Sequence, residues 1–182
     1  LNGGQGDDIF NLSGTVTEST LVGGSGADLL TFSNVVGNTS VQGFGGSTTD
    51  TSNDSVVFQA SVSELGISFA EGDDSLRLSN GATNTTIAAA GGNDSIFADL
   101  NLVGSSIEAG AGTDSISISA ANNSTVKGRS GADSINIGTA VSPQVYGNQD
   151  DDCHTAAAGT GSTLSGGSDN AALHVCAIAS GR

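Results

Sequence analysis

Aspartate recurs along this chain at a nearly constant spacing, and this repeat limits the folds that the chain can adopt. Nine aspartates, called the anchors below, follow one another at intervals of 17 to 26 residues, and most of the intervals are 19 or 20. The anchors are Asp8, Asp28, Asp54, Asp74, Asp94, Asp114, Asp133, Asp152 and Asp169. A period of this length is typical of stacked repeat architectures.

Each anchor is followed by the residue alternation of a β-strand. Apolar residues stand two and four positions after most anchors, as Phe10 and Leu12 or Ile116 and Ile118 do, and a period of two places such residues on one face. A second apolar column comes before the glycine-rich turn that leads to each anchor, usually after two Ser or Thr residues that can form a ladder between coils. This column is Leu1, Leu21, Val41, Ile67, Ile87, Ile107, Val126, Val145 and Leu164.

Each unit therefore predicts a strand, a glycine-rich turn, a second strand and a looser return such as residues 121–123. A unit of about 20 residues cannot bury its own apolar face, so the units must stack, with each strand paired in parallel to its equivalent in the next coil. The sequence predicts an all-β fold, a right-handed parallel β-solenoid of about nine coils, as a single domain over residues 1–182. The 26-residue interval predicts an inserted loop at about residues 45–53, and the short final interval predicts a distorted last coil at about 164–182.

Composition excludes several classes of function. The chain has 19 acidic and four basic residues and a formal charge of −15, so it lacks the basic stripe that nucleic-acid binding requires. It has no apolar run of about 18 residues that could span a membrane. One Tyr, two His, one Lys and three Arg are scattered over different columns, which disfavours the acid–base cluster of a polysaccharide-active β-helix enzyme. We therefore expect no enzymatic activity.

Histidine and cysteine form a small separate group, Cys153–His154 and His174–Cys176. The two cysteines fall at different offsets from their anchors, so a disulfide would require a rearranged last coil. A soft-metal site, a disulfide and unlinked structural residues all remain open for this group, and the last is favoured.

Two turns have the full pattern GGxGxDx followed by an apolar residue: residues 3–10 and residues 23–30. The pattern resembles the RTX (hemolysin-type) calcium-binding repeat of secreted bacterial proteins. Because only one turn per coil has the motif, the chain looks more like the RTX-derived repeats of large bacterial adhesins than like the usual nine-residue array. The resemblance implies one column of Ca²⁺ ions, held by anchor carboxylates and by carbonyls of the glycine backbone, which requires φ > 0. The implied metal-site residues are Gly4, Gly6, Asp8, Gly24, Gly26, Asp28, Asp74, Asp94, Gly110, Gly112, Asp114, Gly131 and Asp133.

The positions of the acidic residues favour the same cation. Fourteen of the 19 acids are anchors or lie within three residues before one. Stacked anchors would be about 5 Å apart, where like charges repel by about 3 kcal/mol at an effective dielectric near 20. Oxygen ligands favour calcium over transition metals. In the alternative interpretation, the anchors cap turns through side-chain hydrogen bonds and stay hydrated at the edge.

The sequence thus predicts a non-catalytic calcium-binding module of a secreted or cell-surface protein, which folds when it meets calcium after export. The alternative is a self-stacking subunit of an extracellular filament or of a viral or surface appendage. The chain begins at Leu1, within an inward column, and neither end has a proline- or charge-rich cap. We therefore expect the ends to contact neighbouring coils of a longer parent chain or copies of the chain itself.

Overall fold

A computed structural model describes residues 1–44, 51–157, 161–168 and 172–176. The described residues form no helix, and all the strand pairings are parallel. The strands are β1 (Asn2–Gln5), β2 (Ile9–Leu12), β3 (Val16–Thr17), β4 (Thr20–Ser25), β5 (Leu29–Phe32), β6 (Val36–Phe44), β7 (Ser55–Phe58), β8 (Val62–Ser68), β9 (Ser75–Leu78), β10 (Ala82–Thr83), β11 (Thr86–Ala88), β12 (Ser95–Val103), β13 (Ser106–Ala111), β14 (Ser115–Asn122), β15 (Thr125–Ser130), β16 (Ser134–Val141), β17 (Gln144–Gln149), β18 (Cys153–Ala157), β19 (Thr163–Ser165) and β20 (Ala172–Cys176).

The strands stack with the register that the repeat predicts. Ile96 lies opposite Ile116, and Ile116 lies opposite Ile135, so residues at the same offset from successive anchors are neighbours. The chain forms a parallel β-solenoid of about eight turns, close to the nine coils predicted. Residues 51–53 of the predicted inserted loop have no regular structure. The rest of that loop through residue 50 lies outside the described residues, as do the anchor Asp169 and parts of the predicted last coil.

The core consists of stacked columns of apolar side chains. Residues two and four positions after an anchor are buried through most of the solenoid, and so is the column before the turn, for example Ile87 and Ile107. Phe32 and Phe58 stack with ring centroids 4.5 Å apart and an interplanar angle of 11°. Burial of each large apolar side chain contributes about 1.5–3 kcal/mol to stability. A sequence with a low apolar fraction can therefore still form a core when its apolar residues are buried in this way.

The return segment contains a third short strand, where the sequence predicted only a looser return. This strand is β3 or β10 in some coils, the N-terminal part of β6 or β8 in others, and the C-terminal part of β12, β14 or β16 in the rest. Its members pair from coil to coil. Its inward residues include Val36, Val62, Ala82, Leu102 and Ala121, all buried. An apolar residue seven or eight positions after most anchors was the available signal, but a two-residue strand is too short to show periodicity.

The turn after this third strand has a residue in the left-handed region in every described coil. Their φ values run from 44° to 76°, and the residues are Glu18, Asn38, Glu64, Asn84, Gly104, Asn123, Ser142 and Gly161. The next residue is often a buried hydroxyl. The Thr85 N–H donates to Ser105 Oγ at 3.0 Å, and the Ser105 N–H donates to Ser124 Oγ at 3.2 Å. The predicted hydroxyl ladder is thus confirmed in these coils. Within the described part of the chain, no helix is long and apolar enough to cross a membrane.

Candidate metal centre at the glycine turns

The glycine-rich turns share one backbone geometry. The residues four and two positions before each anchor have positive φ in most coils, for example 106° at Gly4 and 92° at Gly6. Glycine is also needed for the stacking itself, because a Cβ at Gly24 or Gly112 would overlap the carbonyl oxygen of the equivalent residue one coil earlier. The positive φ expected at the glycines of the motif is confirmed. It is shared by Gly4, Gly6, Gly24, Gly26, Gly110, Gly112 and Gly131.

The anchors form one continuous hydrogen-bonded ladder along the solenoid. The backbone N–H of each anchor donates to Oδ1 of the anchor in the next coil, over distances of 2.7 to 3.0 Å. The ladder therefore brings together every predicted aspartate of the site. In chain order its members are Asp8, Asp28, Asp54, Asp74, Asp94, Asp114, Asp133 and Asp152.

The anchor carboxylates lie under the turns and not on the solvated edge. From Asp28 to Asp152 the ladder residues are only 1–3% exposed, and Asp8 in the first coil is half-buried. The alternative interpretation expected side-chain hydrogen bonds that cap turns and carboxylates at a hydrated edge. The anchors do accept hydrogen bonds from turn backbone, but that backbone belongs to the preceding coil, and from Asp28 onward the anchors are buried. The exposed acids at this edge are instead residues such as Asp7 and Asp73, which stand just before an anchor.

The second carboxylate oxygen is the unusual feature of this ladder. In six anchors Oδ2 is buried and has no hydrogen-bond partner: Asp8, Asp74, Asp94, Asp114, Asp133 and Asp152. A buried unpaired oxygen costs about 1–3 kcal/mol, and more if it is charged. In Asp74, Asp94, Asp114, Asp133 and Asp152, one carboxylate oxygen is therefore fixed by the backbone of the preceding coil, and the other has no donor among the described protein atoms.

Backbone carbonyls lie beside this oxygen in the first and last coils of the ladder. A Cβ at Gly3 would meet both Asp8 Oδ2 and the carbonyl oxygen of Gly23. A Cβ at Gly147 would likewise meet Asp152 Oδ2 and the carbonyl oxygen of Gly166. At both ends a carboxylate of one coil and a carbonyl of the next therefore face the same point.

Burial raises the pKa of five of the anchors. It raises the pKa of Asp74 from 3.8 to about 8 and the pKa of Asp94 and of Asp133 to about 7, although the backbone hydrogen bond to Oδ1 opposes the shift. The pKa of Asp114 and of Asp152 is raised for the same reason. Repulsion from neighbouring anchors adds to the effect at Asp74, Asp94 and Asp133. A proton or a cation is therefore favoured at this column near neutral pH.

The residues before some of the anchors form a second, interrupted ladder, which the sequence analysis missed. Oδ1 of Asp7 accepts the Ala27 N–H at 2.9 Å, and Oδ1 of Asp73 accepts the Asn93 N–H at 2.7 Å. Asn53 and Asn93 provide the same acceptor to the next coil. Asp and Asn both present Oδ1 and can therefore replace each other in this column, whereas Ala27, Thr113 and Ala132 have no such acceptor and interrupt it.

The oxygens at the turns fit a hard cation. The described residues contain no group of three or more His, Cys, Asp or Glu side chains that could hold a metal ion. An ion at this column would therefore take one or two anchor carboxylates, and carbonyl oxygens would complete its shell. Oxygen-only ligands of this kind suit Ca²⁺, which accepts six to eight ligands in flexible geometry.

The cysteine and histidine group is not part of this column. Cys153 is an exposed free thiol, and it lies opposite Ala172, whereas Cys176 lies opposite Ala157 four residues further along the strand pair. That offset is too long for a disulfide. His154 is buried as expected from its inward position, and neither ring nitrogen has a hydrogen-bond partner.

Comparison with models of protein families, with curated proteins and with solved structures gave no match for this chain.

Proposed function

We propose that this chain is a non-catalytic calcium-binding β-solenoid module of a secreted or cell-surface protein. The observation that carries the proposal is the column of buried anchor Oδ2 atoms without a hydrogen-bond partner. The carbonyl oxygens beside Asp8 and Asp152 supply the other kind of ligand that Ca²⁺ prefers. The two turns with the full glycine motif, at residues 3–8 and 23–28, support the same ion.

Calcium would supply positive charge to a column that has too little of its own. The chain has only four basic residues against 19 acids, and buried like charges repel strongly. An ion that binds the folded coils and not the unfolded chain stabilises the fold by RT ln(1 + [L]/Kd), which is about 2.7 kcal/mol at one hundred times Kd. Stability would thus be low where calcium is scarce, as inside a bacterial cell, and would rise after export.

Direct binding measurements on two asparagine variants test the proposal. Asp114→Asn keeps the Oδ1 acceptor for the Asp94 N–H, a bond of 2.8 Å, but removes the buried charge. The matched control is Asp73→Asn, which also keeps its Oδ1 acceptor but changes an exposed acid of the second ladder. We expect isothermal titration with Ca²⁺ to show fewer or weaker sites in Asp114→Asn and an unchanged isotherm in Asp73→Asn.

Two results would contradict the proposal. The first is an absence of calcium binding to the metal-stripped wild type at millimolar concentrations. The second is an equal loss of binding in both variants, because this would indicate diffuse attraction to the acidic surface and not ligation by the anchors.

A further inference from the structure

The residue five positions before an anchor, called the lining residue below, divides the solenoid into two kinds of coil. In the coils near the two ends, called the glycine coils, it is Gly3, Gly23, Gly128 or Gly147. In the coils of Asp74, Asp94 and Asp114, called the central coils, it is the buried apolar residue Phe69, Ala89 or Ala109. The anchor itself is the same in both, so the coils differ in what lies beside its carboxylate.

The backbone does not require glycine at the lining position. Gly3, Gly128 and Gly147 lack the positive φ of the neighbouring turn glycines. The pairing of β13 with β15 places Ala109 in register with Gly128, so alanine is compatible with the same strand. Glycine destabilises a strand relative to alanine because it loses more conformational freedom on folding. Its use in the glycine coils therefore indicates a need for space beside the backbone.

The anchor carboxylate takes that space. A Cβ at Gly128 would overlap Oδ2 of Asp133. The same relation holds between Gly147 and Asp152. Both of these oxygens are buried without a hydrogen-bond partner, and both aspartates are only 1% exposed. A lining glycine therefore allows an unpaired carboxylate oxygen to point across the turn.

A carbonyl oxygen of the next coil faces the same space at both ends of the ladder. Beside Gly3 it is the carbonyl of Gly23. Beside Gly147 it is the carbonyl of Gly166, 2.7 Å from the point that a Cβ would occupy. Carboxylate and carbonyl oxygens repel each other unless a proton or a cation lies between them. The end coils thus bring together the two kinds of oxygen that Ca²⁺ prefers.

The lining residue fills this space in the central coils. The Cβ of Ala109 stands where the carboxylate oxygen lies in a glycine coil, so Oδ2 of Asp114 cannot take the equivalent position. Ala89 stands in the same relation to Asp94. The lining residues of these coils also belong to the hydrophobic core. The central coils therefore offer an ion less room and a more apolar surrounding.

We propose that the lining residue sets the calcium affinity of each coil, so that the glycine coils bind Ca²⁺ more tightly than the central coils. This preference presupposes the calcium binding proposed above and gives it an order, in which the two ends of the solenoid load first and the centre last. Ca²⁺ takes six to eight oxygen ligands, and a Cβ beside the carboxylate excludes oxygen from the space that the glycine leaves open.

Titration of the metal-stripped full chain with Ca²⁺ tests this with two opposite substitutions. Gly147→Ala fills the space beside Asp152, and we expect at least about a tenfold loss of affinity at one tight site, the usual cost of disturbing the position of a metal ligand. Ala109→Gly opens the space beside Asp114, and we expect one weak site to become tight. The matched control is Gly66→Ala in β8, where a Cβ would meet no atom within 4 Å. We expect its isotherm to equal that of the wild type.

A double variant, Ala109→Gly with Asp114→Asn, separates ligation from a general change in stability. We expect the asparagine to abolish the gain, because the carboxylate that the glycine frees is then absent. Circular dichroism in excess calcium establishes that each variant folds, and Ala109→Gly, which removes only a methyl group, decides alone if Gly147→Ala does not fold.

The possible failures of the two proposals are distinguishable. If the wild type binds calcium but Ala109→Gly has an unchanged isotherm, or if Gly66→Ala loses as much affinity as Gly147→Ala, the role of the lining residue is overturned and the calcium proposal stands. A wild type that binds no calcium overturns both.

Discussion

Asp74 offers the sharpest test of the buried column, because its pKa is raised from 3.8 to about 8 in the folded protein. A carboxyl with a raised folded pKa binds more protons in the folded state than in the unfolded state. Its contribution to stability is therefore full below about pH 4 and is lost as the pH rises towards 8. One pKa unit corresponds to about 1.4 kcal/mol, so the loss between pH 4 and pH 7 is on the order of 4 kcal/mol in metal-free protein.

Asp74→Asn removes this titration and keeps the shape of the side chain. Its Oδ1 can still accept the Asp54 N–H, a bond of 2.7 Å in the wild type. The buried amide nitrogen costs about 1–3 kcal/mol at every pH. We therefore expect the variant to be less stable than the wild type at pH 4 and more stable at pH 7 to 8.

Urea denaturation followed by circular dichroism, in chelator and at several pH values, measures this difference. The matched control is Asp73→Asn, an exposed acid next to Asp74, whose effect should stay within about 0.5 kcal/mol throughout. The reasoning is refuted if the difference between Asp74→Asn and the wild type does not change with pH.

Two further substitutions test the backbone and the core. Ala90 has a φ of 75° at a glycine position of the turn, so Ala90→Gly should raise the free energy of unfolding by about 0.5–1 kcal/mol, whereas Ala89→Gly, at a buried position, should lower it. A lower melting temperature in Ala90→Gly would contradict this. His154 is buried with both ring nitrogens unpaired and lies opposite Ile135, so His154→Ile should stabilise the metal-free protein by about 1–3 kcal/mol in thermal melts. His154→Ala should destabilise the protein because it leaves a cavity. If His154→Ile instead lowers the melting temperature, the ring nitrogens of His154 have hydrogen-bond partners and the reasoning is wrong.

The strands around the glycine turns could be predicted because their signals repeat. Ile96 and Ile116 occupy the same offset from their anchors, and stacking converts equal offsets into direct neighbours. A single coil would not have shown this, since four alternating residues also occur by chance. The third strand escaped the sequence analysis because a pair such as Ala82–Thr83 carries no period of its own.

The environment of the anchors could not be predicted in the same way. The sequence predicts that Asp94 is a turn residue, and aspartate is mostly exposed in proteins. Its burial follows from a hydrogen bond to the backbone of Asp74, 20 residues earlier, which only the stacked structure creates. The positive φ of Arg129 could not be predicted either. The motif has glycine at this position, and an arginine in its place gives no sign of a left-handed backbone.

Thermal melting of the metal-stripped protein in calcium, in magnesium and in chelator, at one ionic strength, tests most directly whether the anchor column requires a cation. At calcium concentrations one hundred times Kd, a single site contributes about 2.7 kcal/mol. For a chain of this size that raises the melting temperature by about 5–10 °C. We predict a rise of at least this size in calcium and a smaller one in magnesium, which tolerates fewer carbonyl ligands. The same melting temperature in calcium and in chelator would contradict the account.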